Sequence, residues 1–145
     1  MVLLVIGVIS AIAVPRFTAG IQRHRLEGCL QMLQAELQSL RDQAMTASDS
    51  RVAQFDIAES ALRTDSVIQR DGQTGVDDVV RLAESPWYCQ IDRIEKAQEV
   101  VATGAVTVSF NGAGVANTDL QVTIRCGQHR GIVRLDRFTG RVSAE

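Results

Sequence analysis

The chain has 145 residues and a formal net charge of −2, which suits one small domain and gives the whole molecule no electrostatic attraction for nucleic acid. Aromatic residues make up 4% of the sequence, so the core has to be built mainly from aliphatic side chains. The cysteines Cys29, Cys89 and Cys126 lack CxxC spacing, and with His24 and His129 they form no metal-site signature. We therefore expect no metal and no cofactor.

Residues 1–14 form an uncharged apolar run, MVLLVIGVISAIAV, in which Ser10 is the polar side chain. As a helix the run would cover roughly 21 Å, less than the roughly 30 Å hydrocarbon core of a bilayer. A buried core helix would need enclosure on every side, which a small domain rarely provides. A signal peptide ending at Ala11-Ile12-Ala13 is a second interpretation, but no basic segment precedes the run. The third is a membrane-inserted helix whose first residues lie upstream of Met1.

A long helix is predicted from near residue 2 to about residue 48. Pro15 lies inside it and removes a backbone donor, so we expect a kink or a loosened turn there, near a membrane interface marked by Arg16. Cys29 flanks the apolar stripe of this helix and is interpreted as a small hydrophobe that faces the head. The stripe recurs at alternating spacings of four and three, which indicates one apolar face. Its residues, which we expect in the helix–head core, are Leu26, Leu30, Leu33, Leu37 and Leu40.

Beyond the helix the periodicity changes to short β-like runs. The turn at Asn111–Gly114 separates two strictly alternating runs, and we interpret them with the run that follows as an antiparallel meander. The sequence thus predicts an α+β fold, a long N-terminal helix packed on a C-terminal antiparallel sheet. The predicted strands are residues 52–57 with 62–67 as a partner, then 79–82, 87–91, 105–110, 120–126 and 132–136, with a short last strand near Val142.

Two segments resemble a known family. The run from Leu4 to Phe17, LVIGVISAIAVPRF, resembles the interior of the N-terminal segment shared by type IV pilins and type II secretion pseudopilins. The strand–FNGAG–strand pattern at Phe110 and the closing run RLDRFTGRV from Arg134 to Val142 are similar to the minor pseudopilins often called GspH/FimT. Precursors of this family carry a basic leader, a Gly before the cleavage point and a Glu shortly after it. We therefore expect the true start upstream, where about seven more residues would complete a membrane span and supply the prepilin peptidase site.

The resemblance implies a structural subunit and not an enzyme. It implies a minor pilin or pseudopilin of a type II secretion pseudopilus or a type IV pilus. Such a subunit is anchored in the inner membrane by a single pass, with its head in the periplasm, and enters a filament where it contacts other subunits. Residues 1–25 would be the membrane and filament-core half of the helix, and residues 26–145 the head. Small residues in the first part allow close helix approach, and the expected packing residues are Leu4, Val5, Gly7, Val8, Ser10, Ala11, Ala13 and Pro15.

Catalytic motifs are not recognisable in the sequence. His24 and His129 have no motif partner, and Asp77-Asp78 lies in a predicted loop, where carboxylate pairs are common. There is no P-loop and no GxGxxG. An ordinary secreted β-rich binding protein, with the apolar run as its signal peptide, is an alternative from a different class.

The sequence suggests two further sites. Cys89 and Cys126 fall in predicted strands and are a candidate disulfide if the head is exported, although three cysteines allow three pairs. Arginines near the C-terminus suggest a second alternative, a DNA-binding minor pilin with contacts at Arg134 and Arg137, because phosphate attraction needs only local positive charge. A solvated face is the favoured interpretation of these arginines, and nucleic acid is not an expected partner.

Overall fold

The computed structural model describes residues 2–65 and 78–145, and on the helix it describes side chains at residue 18 and from residue 20 onward. One long helix, α1, runs from Val2 to Ala47 and is helical through Pro15. In the described part of the chain it is followed by the strands β1 (Arg51–Asp56), β2 (Ala61–Thr64), β3 (Asp78–Arg81), β4 (Gln90–Lys96), β5 (Glu99–Val101), β6 (Ala105–Phe110), β7 (Leu120–Cys126), β8 (His129–Leu135) and β9 (Val142–Ala144).

The end of α1 lies where the sequence predicts it. Ser48 takes a left-handed φ of 51°, and its N–H donates to the carbonyl of Met45 at 3.3 Å. The N–H of Asp49 donates to the carbonyl of Ala44 at 3.1 Å. These two bonds make a Schellman motif, which satisfies carbonyls that the helix would otherwise leave unpaired.

The strands form two antiparallel sheets. The first has the order β3-β2-β1-β6 and the second the order β5-β4-β7-β8-β9. The predicted α+β class is confirmed, as is the antiparallel pairing of β1 with the run that follows it. Ser66 and Val67, the end of that predicted run, and the predicted loop at residues 71–75 lie outside the described residues.

The predicted meander through the last strands is wrong in one connection. β6 pairs with β1 at the edge of the first sheet, whereas β7 lies between β4 and β8 in the second. The turn at Asn111–Gly114 is real, since Asn111 and Val115 are joined by a backbone hydrogen bond of 3.0 Å, but the chain then crosses to the other sheet. Alternation of apolar residues shows that a strand has one buried face and does not identify its neighbour.

Two strand boundaries also differ from the sequence prediction. The strand predicted to start at Trp87 begins at Gln90, because Tyr88 has a φ of 52° and the N–H of Cys89 donates to Leu82 instead of to a neighbouring strand. Strand β8 begins at His129, three residues before the predicted strand at 132–136. The short strand β5 was not predicted.

A single core lies between α1 and the two sheets. The helix packs on β1 and β6 of the first sheet and on β7, β8 and β9 of the second. Phe55 and Phe110 from the first sheet and Ile94 and Ile124 from the second are fully buried. Each such side chain stabilises the fold by roughly 1.5–3 kcal/mol relative to exposure. Within the described residues, no helix has a stretch long and apolar enough to cross a membrane.

Candidate functional site: the helix–head interface

The apolar stripe of α1 lies against the head. All five predicted residues, Leu26, Leu30, Leu33, Leu37 and Leu40, are at most 6% exposed. The methyl groups of Leu30 occupy the place where a side chain on Gly131 of β8 would lie. A strand glycine with no side chain thus lets the helix approach the second sheet closely. We call the contact between residues 22–45 of α1 and the two sheets the helix–head interface.

The N-terminal end of the helix–head interface is closed by the segment before β4. A Cβ atom built on Gly28 would lie 2.8 Å from Cζ3 of Trp87, so the indole ring packs directly on the helix backbone. The guanidinium carbon of Arg25 lies 4.8 Å from the centroid of the Tyr88 ring, within cation–π distance. Gln22 contacts the turn at Gly127, where φ is 62°. These contacts fix the direction in which α1 leaves the head.

Hydrogen bonds to backbone carbonyls stabilise the C-terminal part of the helix–head interface. Nε2 of Gln34 donates to the carbonyl of Val142 in β9 at 3.3 Å, and Nε of Arg41 donates to that of Gly114 at 3.2 Å. Because these carbonyls are on the connection between the sheets and on the last strand, both C-terminal segments are tied to the helix. Side chain to backbone bonds of this kind contribute about 1 kcal/mol each, or up to about 3 kcal/mol with a charged donor.

The helix becomes exposed toward its N-terminus. Leu26 is the first buried side chain among those described on α1, whereas Thr18, Gly20, Ile21 and His24 are exposed. Among the described side chains of α1, burial therefore begins at Leu26. The predicted packing residues Leu4, Val5, Gly7, Val8, Ser10, Ala11, Ala13 and Pro15 precede this point, in the part of α1 whose side chains are outside the described set.

The three cysteines converge at the N-terminal end of the helix–head interface. Cys29 comes from α1, Cys89 from the segment before β4, and Cys126 from the end of β7, and all three thiols are free in the structure. The two residues of the candidate disulfide, Cys89 and Cys126, are neighbours in the structure, which holds both as thiols. The thiols of Cys89 and Cys126 both donate to the carbonyl of Trp87, at 3.4 and 3.7 Å.

The C-terminal arginines lie mainly on the outer face of the second sheet, among carboxylates and amides. Arg134 donates to Gln121 at 3.1 Å and lies 3.6 Å from a carboxylate oxygen of Glu145. Arg137 follows β8, and its guanidinium carbon lies 5.7 Å from the centroid of the Phe138 ring. Arg125 and Arg130 both pair with Asp92, at 3.9 and 3.5 Å.

Asp136 organises the turn between β8 and β9. Its Oδ1 accepts hydrogen bonds of 2.8 Å from both the N–H and the hydroxyl of Thr139. The bond from the backbone N–H is the main reason that the pKa of Asp136 is lowered. Among the described residues, no group of His, Cys, Asp or Glu side chains is arranged to hold a metal ion. Asp78 lies in β3, and its predicted neighbour Asp77 is outside the described residues.

Sequence reasoning missed the contacts of Gly28 with Trp87 and of Arg25 with Tyr88. A glycine in the interior of a strongly periodic helix was the available signal, since it costs about 1 kcal/mol relative to alanine and usually has a packing reason. Trp87 could not be assigned to it, because a long stretch of chain separates the two residues.

Comparison with known proteins identifies the fold. No protein-family model and no curated protein matches this chain. Among solved structures, the chain is similar to the minor pseudopilin EpsH from the type 2 secretion system of Vibrio cholerae, with a TM-score of 0.56. The fold is pseudopilin-like. The two chains are 14% identical, and the likeness covers 83% of this chain and 96% of EpsH. The pseudopilin-like fold agrees with the resemblance in the N-terminal run and in the closing strands.

Proposed function

We propose that this chain is a structural subunit, a minor pseudopilin of a type II secretion pseudopilus or of a related type IV pilus, with no catalytic role. The observation that carries the proposal is the pseudopilin-like fold together with an α1 whose apolar stripe is buried from Leu26 onward and whose residues 18 and 20–21 are exposed. A helix that extends beyond its own head offers a surface to other molecules. Function then follows from helix packing and from contacts between heads.

In this proposal residues 1–25 are the membrane and filament-core half of the helix, and residues 26–145 are the head. The precursor anchors in the inner membrane with its head in the periplasm, and prepilin peptidase processes an upstream site. In the filament, neighbouring helices replace lipid around the same apolar surface. Small residues support this exchange because lipid and protein are equally apolar, so close packing decides the association.

The first test removes the gene from the cells that carry it and measures protein secretion and surface pili. We expect secretion or piliation to fall and the full-length chain to restore it. Gly7→Leu and Ala11→Leu keep the segment apolar but block close helix approach, so these variants should stay in the membrane fraction and fail to restore the activity. Leu3→Met, which conserves volume at a position outside the expected packing residues, is the matched control and should restore it. Unchanged secretion and piliation after gene removal would contradict the proposal.

A second test looks for the partner subunits directly. Ile21 is 40% exposed on α1 just before the helix–head interface begins, so a photo-crosslinking residue at this position should link the chain to other pilin-like subunits in intact cells. The crosslinks should disappear in cells that lack the other subunit genes. Crosslinks only to proteins unrelated to pilins would argue against filament packing.

The DNA-binding alternative is tested separately. Arg134 has a carboxylate and an amide within its reach, which reduces its free positive charge, and nothing in the described residues favours a nucleic-acid surface over a solvated one. A salt-dependent gel shift that is lost when Arg134 and Arg137 are changed to Ala would support the alternative. No binding at low salt would exclude it.

A further inference from the structure

Three fully buried thiols meet at one point in this fold. Cys29 and Cys89 are 0% exposed and Cys126 is 2% exposed. The thiol of Cys89 lies close enough to those of both Cys29 and Cys126 to interact with each, so Cys89 is the centre of the cluster. Three separate segments, α1, the segment before β4 and the end of β7, therefore each contribute one sulfur.

The backbone favours one pair in this cluster. Antiparallel pairing of β4 with β7 aligns Gln90 with Arg125, and continuing that register by one residue places Cys89 opposite Cys126. Directly opposite residues of antiparallel strands have Cα atoms about 4.5–5.5 Å apart, inside the roughly 4.4–6.8 Å range of disulfides. Both sulfurs also lie within 3.7 Å of the same carbonyl oxygen, that of Trp87.

Cys29 approaches the sulfur of Cys89 from the side of α1. No strand register fixes the separation of its backbone from that of Cys89, and its neighbours Leu30 and Leu33 are buried core residues. A free buried cysteine there acts as a small apolar side chain.

We propose that Cys89 and Cys126 form a disulfide as the chain folds in an oxidising compartment, while Cys29 stays a free core thiol. The proposal rests on the proposed function for the compartment, because only an exported head meets disulfide donors. The two protein thiols lose their hydrogens, one S–S bond forms between them, and the S–S bond of a disulfide donor breaks. The donor is reduced and takes up the two electrons and the two protons as a pair of thiols.

The timing follows from the surroundings of the thiols. The hydrogen bond with Cys29, together with burial, raises the pKa of Cys89, and burial raises that of Cys126 to about 12. Because the thiolate is the reactive form, the folded, reduced head reacts slowly with a disulfide donor. The bond forms during folding. It links the segment before β4 to the second sheet, and this segment carries Trp87 and Tyr88, which pack against α1.

The test uses the full-length chain in mild detergent, denatured and reduced, and then refolded with glutathione and glutathione disulfide. The product is alkylated under denaturing conditions and mapped by mass spectrometry. We expect a Cys89–Cys126 linked peptide pair with Cys29 alkylated, and the same pair in Cys29→Ala. The oxidised protein should unfold roughly 10 °C above its reduced form, and this difference should vanish in the Cys89→Ala, Cys126→Ala double variant.

Three outcomes would overturn the proposal: a Cys29–Cys89 link, alkylation of all three cysteines after oxidative refolding, or equal unfolding temperatures of the oxidised and reduced proteins. Because mapping is done on the wild type, the result does not depend on whether a variant folds.

A cellular measurement separates this proposal from the proposed function. Cells that make the chain are quenched with an alkylating agent, and the same peptides are mapped. The linked pair in cells and after refolding supports both proposals. The linked pair after refolding with three free thiols in cells would overturn export, and with it the disulfide in the cell, but not the pairing preference. If no linked pair is found in cells or after refolding, the disulfide proposal is overturned. The proposed filament role is then unaffected, because the secretion and crosslinking experiments test it independently.

Discussion

Gly20 and Gly28 lie on the same helix, but a methyl group would have different surroundings at the two positions. At Gly28 the new Cβ would lie 2.8 Å from the Trp87 ring, whereas at Gly20 nothing lies within 4 Å. An indole ring cannot shift as a flexible side-chain end can, so the helix or the segment before β4 would have to move. An alanine at Gly20 therefore changes only helix propensity, whereas an alanine at Gly28 changes both helix propensity and packing.

We predict that Gly28→Ala destabilises the protein although it improves helix propensity. Overpacking costs about 1–3 kcal/mol, which exceeds the roughly 1 kcal/mol gained by replacing a helical glycine. Gly20→Ala, the matched control, should leave stability unchanged or raise it by up to about 1 kcal/mol. Thermal unfolding of both variants, followed by circular dichroism in mild detergent, measures the difference. Equal stability of the two variants would show that Trp87 does not limit the helix position.

Asp136 gives a prediction for pH dependence. Its folded pKa is lowered, so its stabilising effect is fully present above the unfolded pKa of about 3.9 and is lost as pH falls through the folded pKa. We expect Asp136→Asn to lower the unfolding temperature at pH 7, and the difference from wild type to shrink as the pH is lowered below about 4. Asp42→Asn, at an exposed position on α1, is the control. A difference independent of pH would show that the carboxylate charge is unimportant for the turn.

At the scale of elements, the hairpin between β4 and β5 contains strained residues. Ala97 and Gln98 both have positive φ, 49° and 72°, in a turn of the kind that usually carries Asn-Gly. Left-handed backbone costs a non-glycine residue about 1–2 kcal/mol. The adjoining edge strand exposes Val100, which is 60% accessible. The hairpin is thus stabilised more by its pairing with the rest of the sheet than by the turn preference of its own residues.

We predict that Ala97→Gly stabilises the protein by up to about 1 kcal/mol, because glycine removes the strain at positive φ. Ala113→Gly is the matched control: Ala113 is exposed in a turn and its φ is not positive, so the same substitution should destabilise by about 0.5–1 kcal/mol through added chain entropy. Urea unfolding midpoints measure both effects. The same sign for the two variants would contradict the strain argument.

At the scale of the whole molecule, α1 joins the two sheets. Its stripe packs on strands of both, so the sheets share one core and should lose structure together. This arrangement makes the helix essential to the head even though the strands of each sheet are paired with one another. It also means that a change in the stripe should be felt in every part of the head.

We predict that Leu37→Ala destabilises the protein by about 2–5 kcal/mol, because the side chain is fully buried and its removal leaves a cavity. Gln38 follows Leu37 in the helix and is exposed, so Gln38→Ala is the matched control and should change stability by less than about 0.5 kcal/mol. Far-UV circular dichroism and Trp87 fluorescence should report the same lowered midpoint for Leu37→Ala. Separate midpoints for the two probes would show that the sheets unfold independently.

The sequence by itself determined the α+β class, the long helix with its end near Ala47 and the strands that lie on either side of the Asn111–Gly114 turn. These features depend on local periodicity and turn chemistry, which are written in consecutive residues. Only the tertiary structure decided that β6 and β7 belong to different sheets, that β4 begins after Cys89, and that Trp87 packs on Gly28. It also brought three cysteines from distant segments to one point. Partner choice between strands and contacts over long sequence separations depend on how whole faces pack, and no local pattern records them.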